Sequence, residues 1–555
     1  MKEYKKLLLL YLSGLFALGL GYIAVLPPFE GFDENSHYSN IRKIAATGKL
    51  PAYGSTMLDA LVVTYAQTAP MPYGTLRPPF DRNMAYYKFF LNPDTINQYI
   101  HNYRQAPVAR NYEASTDVSW EALHAPLYYL LLAPVEKITD GLSLVSQVLI
   151  LRLISFAMVI AGVALSLRTA GEEAFRGFVL YPLLFPMFFA EFGRIGNDSL
   201  CMFLSAILAL LLSFYSKSSD RESIVIPAQA GILAKTPAFA GVTSRTLSLL
   251  IGLVLGAGLL TKAFFIPISA GIAVWMAAAY LWKAEDAHSR KRHVINMLII
   301  GFTALAIGAP WYIGNLINDI PIVGFGEPQM LAQQGGLIAG LEKNFTLHEL
   351  MEGFAVNLVT WIWEGTWSLV HILPLMYVPM LMLLFLVLGA FAFTLKGRPL
   401  KDPAWLGVAL FCFFEFGFLR HIIISLAISG TGNTPSAYLH ILLPWVAPIL
   451  GIGIATLARH RLGSMALKLL VSYAVLFQLS ILWSQLALFA GCATKGDDKY
   501  YHFPDQRLCL NALDTVMENL GTLAWPHLAL ACFAGGIICF YIVFRNMRKL
   551  HEQKN

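Results

Sequence analysis

The sequence predicts an all-α, polytopic integral membrane protein. Three observations predict it. Of the 555 residues, 57% are hydrophobic and only 13% are charged, about half the charged share of a soluble domain. The apolar residues fall in near-continuous runs of about 20, the length a helix needs to cross a hydrocarbon core of about 30 Å. The Lys and Arg residues collect in short loops between alternate runs, which is the positive-inside pattern of a membrane chain.

Taken in order, runs long enough to span fall at about 7–26, 147–167, 174–193, 199–216, 246–262, 264–282, 294–314, 371–395, 404–428, 437–457, 465–490 and 525–544, twelve in all. The first (LLLLYLSGLFALGLGYIAVL) carries no charge, and no small-residue cleavage site follows it. It reads as a retained signal anchor with the N-terminus inside. The run APLYYLLLAPV (125–135) is too short to cross and bounded by proline at both ends, so it is expected to lie as an interfacial helix. With that assignment the clusters MKEYKK, RTAGEEAFR, KAEDAHSRKRH, LKGRPLKDP, ARHR and RNMRKLHEQK all fall inside. If 125–135 spanned, the RKRH cluster would move outside. The net charge of +6 is therefore a topological signal and gives no reason to expect a nucleic-acid partner.

Four outer segments remain: the long first loop 27–146, the turn around RIGND (194–198), the Gly- and Trp-rich stretch 315–370, and 491–524. Cys492 and Cys509 both lie in the last of these and suggest a disulfide in an oxidising compartment. The other four cysteines sit in apolar runs as small hydrophobes. Residues 224–243 (IVIPAQAGILAKTPAFAGVT) repeat PAQAG as PAFAG within a predicted inner loop, and read as a tolerated insertion without a catalytic role.

Chemistry-bearing residues gather on the predicted outer side. The first span delivers Asp33, Glu34 and His37 to its outer end, where carboxylates and an imidazole are costly to bury and suited to proton transfer. Glu121, His124, Tyr128 and Tyr129 open the interfacial helix. Arg194, Asn197 and Asp198 stand at a turn between spans, and Lys262 ends the fifth run. Each also has a plain reading. Charges flank spans, Tyr128 and Tyr129 suit an aromatic belt, Asn197 or Asp198 suits an N-cap, and Lys262 suits a snorkelling lysine.

The order of these segments resembles the GT-C superfamily of membrane glycosyltransferases. That group includes protein mannosyltransferases, aminoarabinose transferases of lipid A and oligosaccharyltransferase catalytic subunits. The resemblance rests on a first span, then DENSH, a long outer loop, HAPLYYLLLAP, an NDS turn and an LTK turn, and covers residues 7–285 best. It implies a sugar carried on a polyprenyl phosphate and transfer on the extracytoplasmic face of a bacterial inner membrane. The acceptor would be a glycan, lipid or protein. It also implies that Asp33 works on the acceptor and that Asp198 is a second catalytic acid; Glu34 and His37 stand beside Asp33 as further catalytic candidates, Glu34 either as its support or as the base itself. His124, Tyr128, Arg194, Asn197 and Lys262 would bind substrate, with Lys262 on the lipid phosphate. The family's late Arg-Tyr pair is represented by Tyr438 alone, because Ala437 stands in the Arg position; His440 or Arg420 are the substitutes in view. No cofactor is required by the sequence, and a divalent metal, if one is used, would fall to Asp33 and Glu34 without a complete ligand set.

Residues 1–285 are accordingly expected to form the catalytic membrane module and 286–555 a second transmembrane module. The competing class is a transporter or flippase. It is disfavoured because the two halves show no repeat and charges within the runs are sparse: Arg152, Glu191, Glu415 and Arg420, the last two a candidate structural pair.

Overall fold

The computed structural model describes residues 2–70, 85–109, 111–218, 243–281, 287–320, 327–368, 370, 372–432, 434–495, 501–502 and 513–552. Helices dominate it. Among the described residues nine are long and apolar enough to cross a membrane: Lys5–Val25, Leu144–Leu167, Asp198–Lys217, Ala287–Ile317, Pro374–Leu395, Pro403–Ser429, Ala437–Ala458, Arg461–Phe489 and Pro526–Met547. The remaining three predicted spans take other forms. Ser244–Leu259 and Phe265–Leu281 are shorter apolar helices. The run 174–193 is broken into Glu172–Leu184 and Met187–Phe192. Pro186 causes the break, because a residue before proline is driven out of the helical region, and Phe185 sits at φ −127°, ψ 80°.

The first and last spans lie against one another. A side chain on Gly14 would meet Cβ of Cys539 at 2.8 Å, and one on Gly21 would meet the ring of Phe533. The packing therefore crosses residue 285, and one continuous buried cluster runs from Leu7 to Val543.

The loop after the first span folds into helices and a short strand pair. Helix Glu34–Thr47 ends at Gly48, whose φ of +68° lets its amide close back on the Ile44 carbonyl. Met57–Asp59 pairs antiparallel with Ala114–Val118. Arg42 fastens these pieces. Its guanidinium bonds Asp59 at 2.8 Å, Glu136 at 3.1 Å, and the carbonyls of Ala109 and Asn111. The run 125–135 forms the helix Leu127–Ile138, too short to span. Tyr128, Tyr129, Leu132 and Glu136 are buried, while Leu130, Leu131 and Ile138 are exposed.

Cys201, Cys412, Cys532 and Cys539 are free thiols, as their apolar surroundings suggested. Cys492 is disulfide-bonded. Its expected partner Cys509, and the insertion-like stretch up to residue 242, lie outside the described residues.

Candidate active site

The site is assembled where several helices end. Asp33 follows the first span, Asp198 begins its helix, Lys262 follows Ser244–Leu259, and Tyr438 opens the short helix before Leu443–Ala458. Shared helix ends put these side chains on one face of the bundle.

Asp33 and Glu34 are neighbours with opposite surroundings. Glu34 is fully buried. Both of its oxygens are taken by the Arg152 guanidinium, with Nε at 2.7 Å, and Oε1 also accepts from the Ile195 amide at 2.9 Å. Arg152 also donates to the carbonyls of Leu26 and Pro27. Glu34 thus pins the end of the first span to the helix Leu144–Leu167. Three fixed donors hold its carboxylate, an anchoring role that the sequence did not show.

Asp33 is only partly enclosed, with φ +57°, a left-handed conformation uncommon outside glycine. Its Oδ1 accepts from the Trp120 indole at 2.8 Å. Desolvation, with the nearby Glu121 charge, pushes its carboxyl up to about 6. The loop carrying Asp33 is held from below by Arg194, whose Nη1 donates to the Phe32 carbonyl at 2.7 Å. Gly31 is required there, since a Cβ would lie 2.5 Å from Cβ of Arg194.

Arg194 Nη2 also donates to Glu191 Oε1 at 2.7 Å and to Asp198 Oδ2 at 3.0 Å. Lys262 Nζ reaches both oxygens of Asp198, at 2.8 and 3.0 Å. The same ammonium sits 4.4 Å from the ring centre of Tyr438 and 4.7 Å from that of Phe264. Asn197 donates to the Thr261 carbonyl, 3.4 Å away, beside this pair.

A second group lines the interfacial helix. His124 Nε2 lies 2.6 Å from Glu121 Oε2, and His37 Nε2 lies 3.7 Å from the same oxygen. His37 Nδ1 contacts the Tyr129 hydroxyl at 2.9 Å. Burial drives the His37 imidazole down to about 3, so it is neutral at pH 7. Glu121 is also buried, which favours its acid form, yet the His124 charge and bond hold it down at about 2. Tyr128 is bonded to Ser155 at 2.7 Å.

Two expected residues stand elsewhere. Arg420 pairs with Glu327 at 3.7 Å, beside a 2.8 Å bond from His421 to the same carboxylate, so its partner is not Glu415. His440 is fully buried, bonded to Tyr181 at 2.9 Å among the rings of Phe185, Phe188 and Phe192. Neither is part of the Asp198–Lys262 network, so of the late residues only Tyr438 joins it.

Several site residues were missed by sequence reasoning. Trp120 holds Asp33. Glu30 is wholly buried, accepting from Tyr86, Thr366 and the Ser368 amide, and it ties the first loop to the Trp-rich segment. Phe32 meets Trp367 edge-on at 5.2 Å across the same seam. Glu364 lies in the field of Glu191, Arg194 and Asp33, and desolvation followed by the Glu191 charge pushes it up to about 8. Arg152 and Glu191 did carry a signal, being charges inside apolar runs that need partners.

Neither a protein-family model nor a curated protein sequence matches the chain. Among solved structures it is similar to oligosaccharyltransferases of Archaeoglobus fulgidus. One is the archaeal oligosaccharyltransferase AglB in complex with an inhibitory peptide and a dolichol-phosphate. It is 13% identical over 94% of this chain and 60% of that one, with a TM-score of 0.37. A complex of the oligosaccharyltransferase with Zn and sulfate is 14% identical over 88% and 56%, with a TM-score of 0.29. A third, tethered to an acceptor peptide containing the NVT sequon, is 13% identical over 86% and 54%, with a TM-score of 0.31. The chain spans between 54% and 60% of the length of these structures.

Proposed function

We propose that the chain is a membrane glycosyltransferase of GT-C type. It would move a sugar from a polyprenyl-phosphate-linked donor to a glycan, lipid or protein acceptor outside a bacterial inner membrane. Residues 1–285 would carry most of the catalytic groups, with 286–555 supplying Tyr438. The observation that carries the reading is the contrast between two adjacent carboxylates. Glu34 is locked by cation and amide, whereas Asp33 is partly open, held by one neutral donor, and raised to about 6. A base of that strength is ionised at neutral pH and still strong enough to accept a proton.

In the proposed step an acceptor hydroxyl attacks the anomeric carbon and Asp33 takes its proton. The bond from that carbon to the lipid phosphate oxygen breaks, and the phosphate leaves with the electron pair. The oxocarbenium-like charge is met by nearby carboxylates, and the leaving phosphate by cations. Lys262 has three donors and places two on Asp198, leaving one for a phosphate oxygen. Arg194 acts as a positioning residue, since it holds both Asp198 and the Asp33 loop. His124, Tyr128, His37 and Asn197 shape the surrounding wall.

A divalent ion shared by Asp33 and Glu34 does not fit, because the donors of Arg152 and Ile195 already occupy Glu34. The transporter reading is weakened by position. Transporters hold their polar groups near the middle of the bilayer, whereas Asp33, Asp198 and Lys262 all sit at helix ends.

The test is a deletion strain. Its surface glycans and lipid A should lose one defined sugar increment by mass. The wild-type chain should restore it, and Asp33→Asn, expressed equally in the membrane, should not. Transfer should fall about 100- to 10,000-fold, the usual weight of a general base. Full restoration by Asp33→Asn would overturn the assignment.

A further inference from the structure

The turn that carries Trp120 also carries Glu121, a buried carboxylate to which the proposed reaction gives no part. We infer that Glu121 is a positioning residue for Asp33: its clasp by His124 fixes the Trp120 turn, and its charge governs when Asp33 accepts a proton. The inference rests on Asp33 as the base of the proposed function.

The clasp is built by local sequence. Trp120–Leu123 forms a single 3₁₀ turn. Its entry is pinned by Ser119, whose amide donates to the Thr56 carbonyl at 2.8 Å and whose hydroxyl donates to Asn40 Oδ1 at 3.1 Å. Its exit is His124, in extended backbone at φ −69°, ψ 145°, two residues ahead of Pro126. Residues three apart eclipse in a 3₁₀ turn, so the His124 ring returns over Glu121 and closes the 2.6 Å contact. Trp120, one residue earlier, is thereby held with its indole on Asp33.

The second histidine does not answer the Glu121 charge. Tyr129 donates its hydroxyl hydrogen to the Glu121 carbonyl at 3.3 Å, so its oxygen accepts from His37 Nδ1–H at 2.9 Å. His37 Nε2 then carries a lone pair where it approaches Glu121 Oε2 at 3.7 Å, and it offers that oxygen no proton. The close partner of the carboxylate is His124. Glu121 is buried, so its charge is poorly screened. One turn therefore acts on Asp33 in two senses. The Trp120 donor favours the carboxylate, and the Glu121 charge favours the acid. The cations Arg194 and Lys262 also favour the carboxylate, and Glu364 and the Tyr438 hydroxyl share its field. Burial and Glu121 outweigh the cations and the indole, which leaves Asp33 at about 6.

The test is the transfer rate from pH 5 to 9 in membranes of the deletion strain carrying each full-length variant, read as the sugar increment by mass. Glu121→Gln keeps the size and removes the charge. Asp33 should then ionise about one pH unit lower, the small end of what a neighbouring charge does. At pH 5 its ionised share rises from roughly one in eleven to about one in two, so the rate at pH 5 relative to pH 8 should rise about fivefold. His124→Gln keeps a donor on Glu121 but removes the offsetting charge, and should lower the same ratio at least about twofold. Trp120→Phe, which removes the donor to Asp33, is the control and moves the acid limb up. If Trp120→Phe moves the limb while Glu121→Gln leaves it in place or lowers the rate equally at every pH, the role of Glu121 is overturned and Asp33 stands as the base. A limb that no variant moves would overturn Asp33 as the base, and this role with it. Should Glu121→Gln fail to reach the membrane, His124→Gln decides: a lowered ratio supports the clasp, and an unchanged one overturns it.

Discussion

Replacing Trp120 by Phe tests the role of Asp33 without touching its carboxylate. The indole Nε1–H donates to Asp33 Oδ1 at 2.8 Å, and phenylalanine keeps most of the packing while removing that donor. A hydrogen bond to a charged group contributes about 1.5–3 kcal/mol, and about 1.36 kcal/mol corresponds to one pKa unit. The bond favours the ionised form, so losing it raises Asp33 from about 6 by roughly one to two units. Partial exposure of Asp33 favours the lower end of that range. The proposed base works as the carboxylate, which with a pKa of about 6 is ionised by about ten to one at pH 7. In the variant that ratio drops to about one to one or below, so transfer at pH 7 falls at least about twofold and recovers by about pH 9. The assay is the transfer rate from pH 5 to 9. A Trp120→Phe profile with an unmoved acid limb, or a loss equal at every pH, would refute Asp33 as the base.

Other outcomes follow from neighbouring contacts. Glu34→Gln leaves Arg152 facing an amide in a site almost closed to water, and should cost about 3–5 kcal/mol of stability. Its melting temperature in detergent should drop sharply while that of Asp33→Asn does not, and equal melting would show that the pair is not structural. Glu364→Gln should keep activity within about twofold at pH 7, because a carboxyl raised to about 8 is already neutral there. A tenfold loss at pH 7 would mean that its charge is used. Removing 224–242 should leave transfer nearly intact provided Thr243 is kept, since its hydroxyl accepts from the Thr246 amide and caps the next helix. Normal membrane levels without activity would assign that segment a role.

The bundle was legible because membrane helices announce themselves by length and lack of charge. All twelve apolar runs became helical, and the differences arise where local chemistry overrides hydropathy. Pro186 divides one run, and the turn at 260–264 shortens the two helices beside it. The site was legible as a set of segments and not as a set of contacts. Asp198 and Lys262 were both named, yet their ion pair joins residues 64 apart and depends on how two helices end. Arg152 was visible as a charge inside a span but not as the partner of Glu34, 118 positions away. Trp120 and Glu364 gave no signal, because an indole in a loop and a glutamate among tryptophans read as interfacial residues. His440 and Arg420 were suggested for a phosphate site by residue type and rough position, and the structure places them beside Tyr181 and Glu327, away from Asp198 and Lys262.

The division of labour between Asp33 and Glu34 comes from one backbone feature. In a regular helix start both carboxylates would lie in the crowded first turn and compete for the same donors. Here Asp33 takes φ +57°, and the helix proper begins at Glu34. A left-handed non-glycine residue costs of order 1–3 kcal/mol and persists only where its surroundings fix it. Those surroundings are identifiable. Arg194 grips the carbonyl before Asp33, Gly31 permits that close approach, and Glu34 anchors the next residue through Arg152 and Ile195. Glu30 fixes the loop from the other side through Tyr86, Thr366 and Ser368. Arg194, which holds this turn, also bonds Asp198, so the strain at Asp33 and the positive edge proposed for the donor share that one support. A change at Arg194 would therefore disturb base and donor site together, whereas a change at Arg152 would act through the fold and one at Trp120 through the base alone.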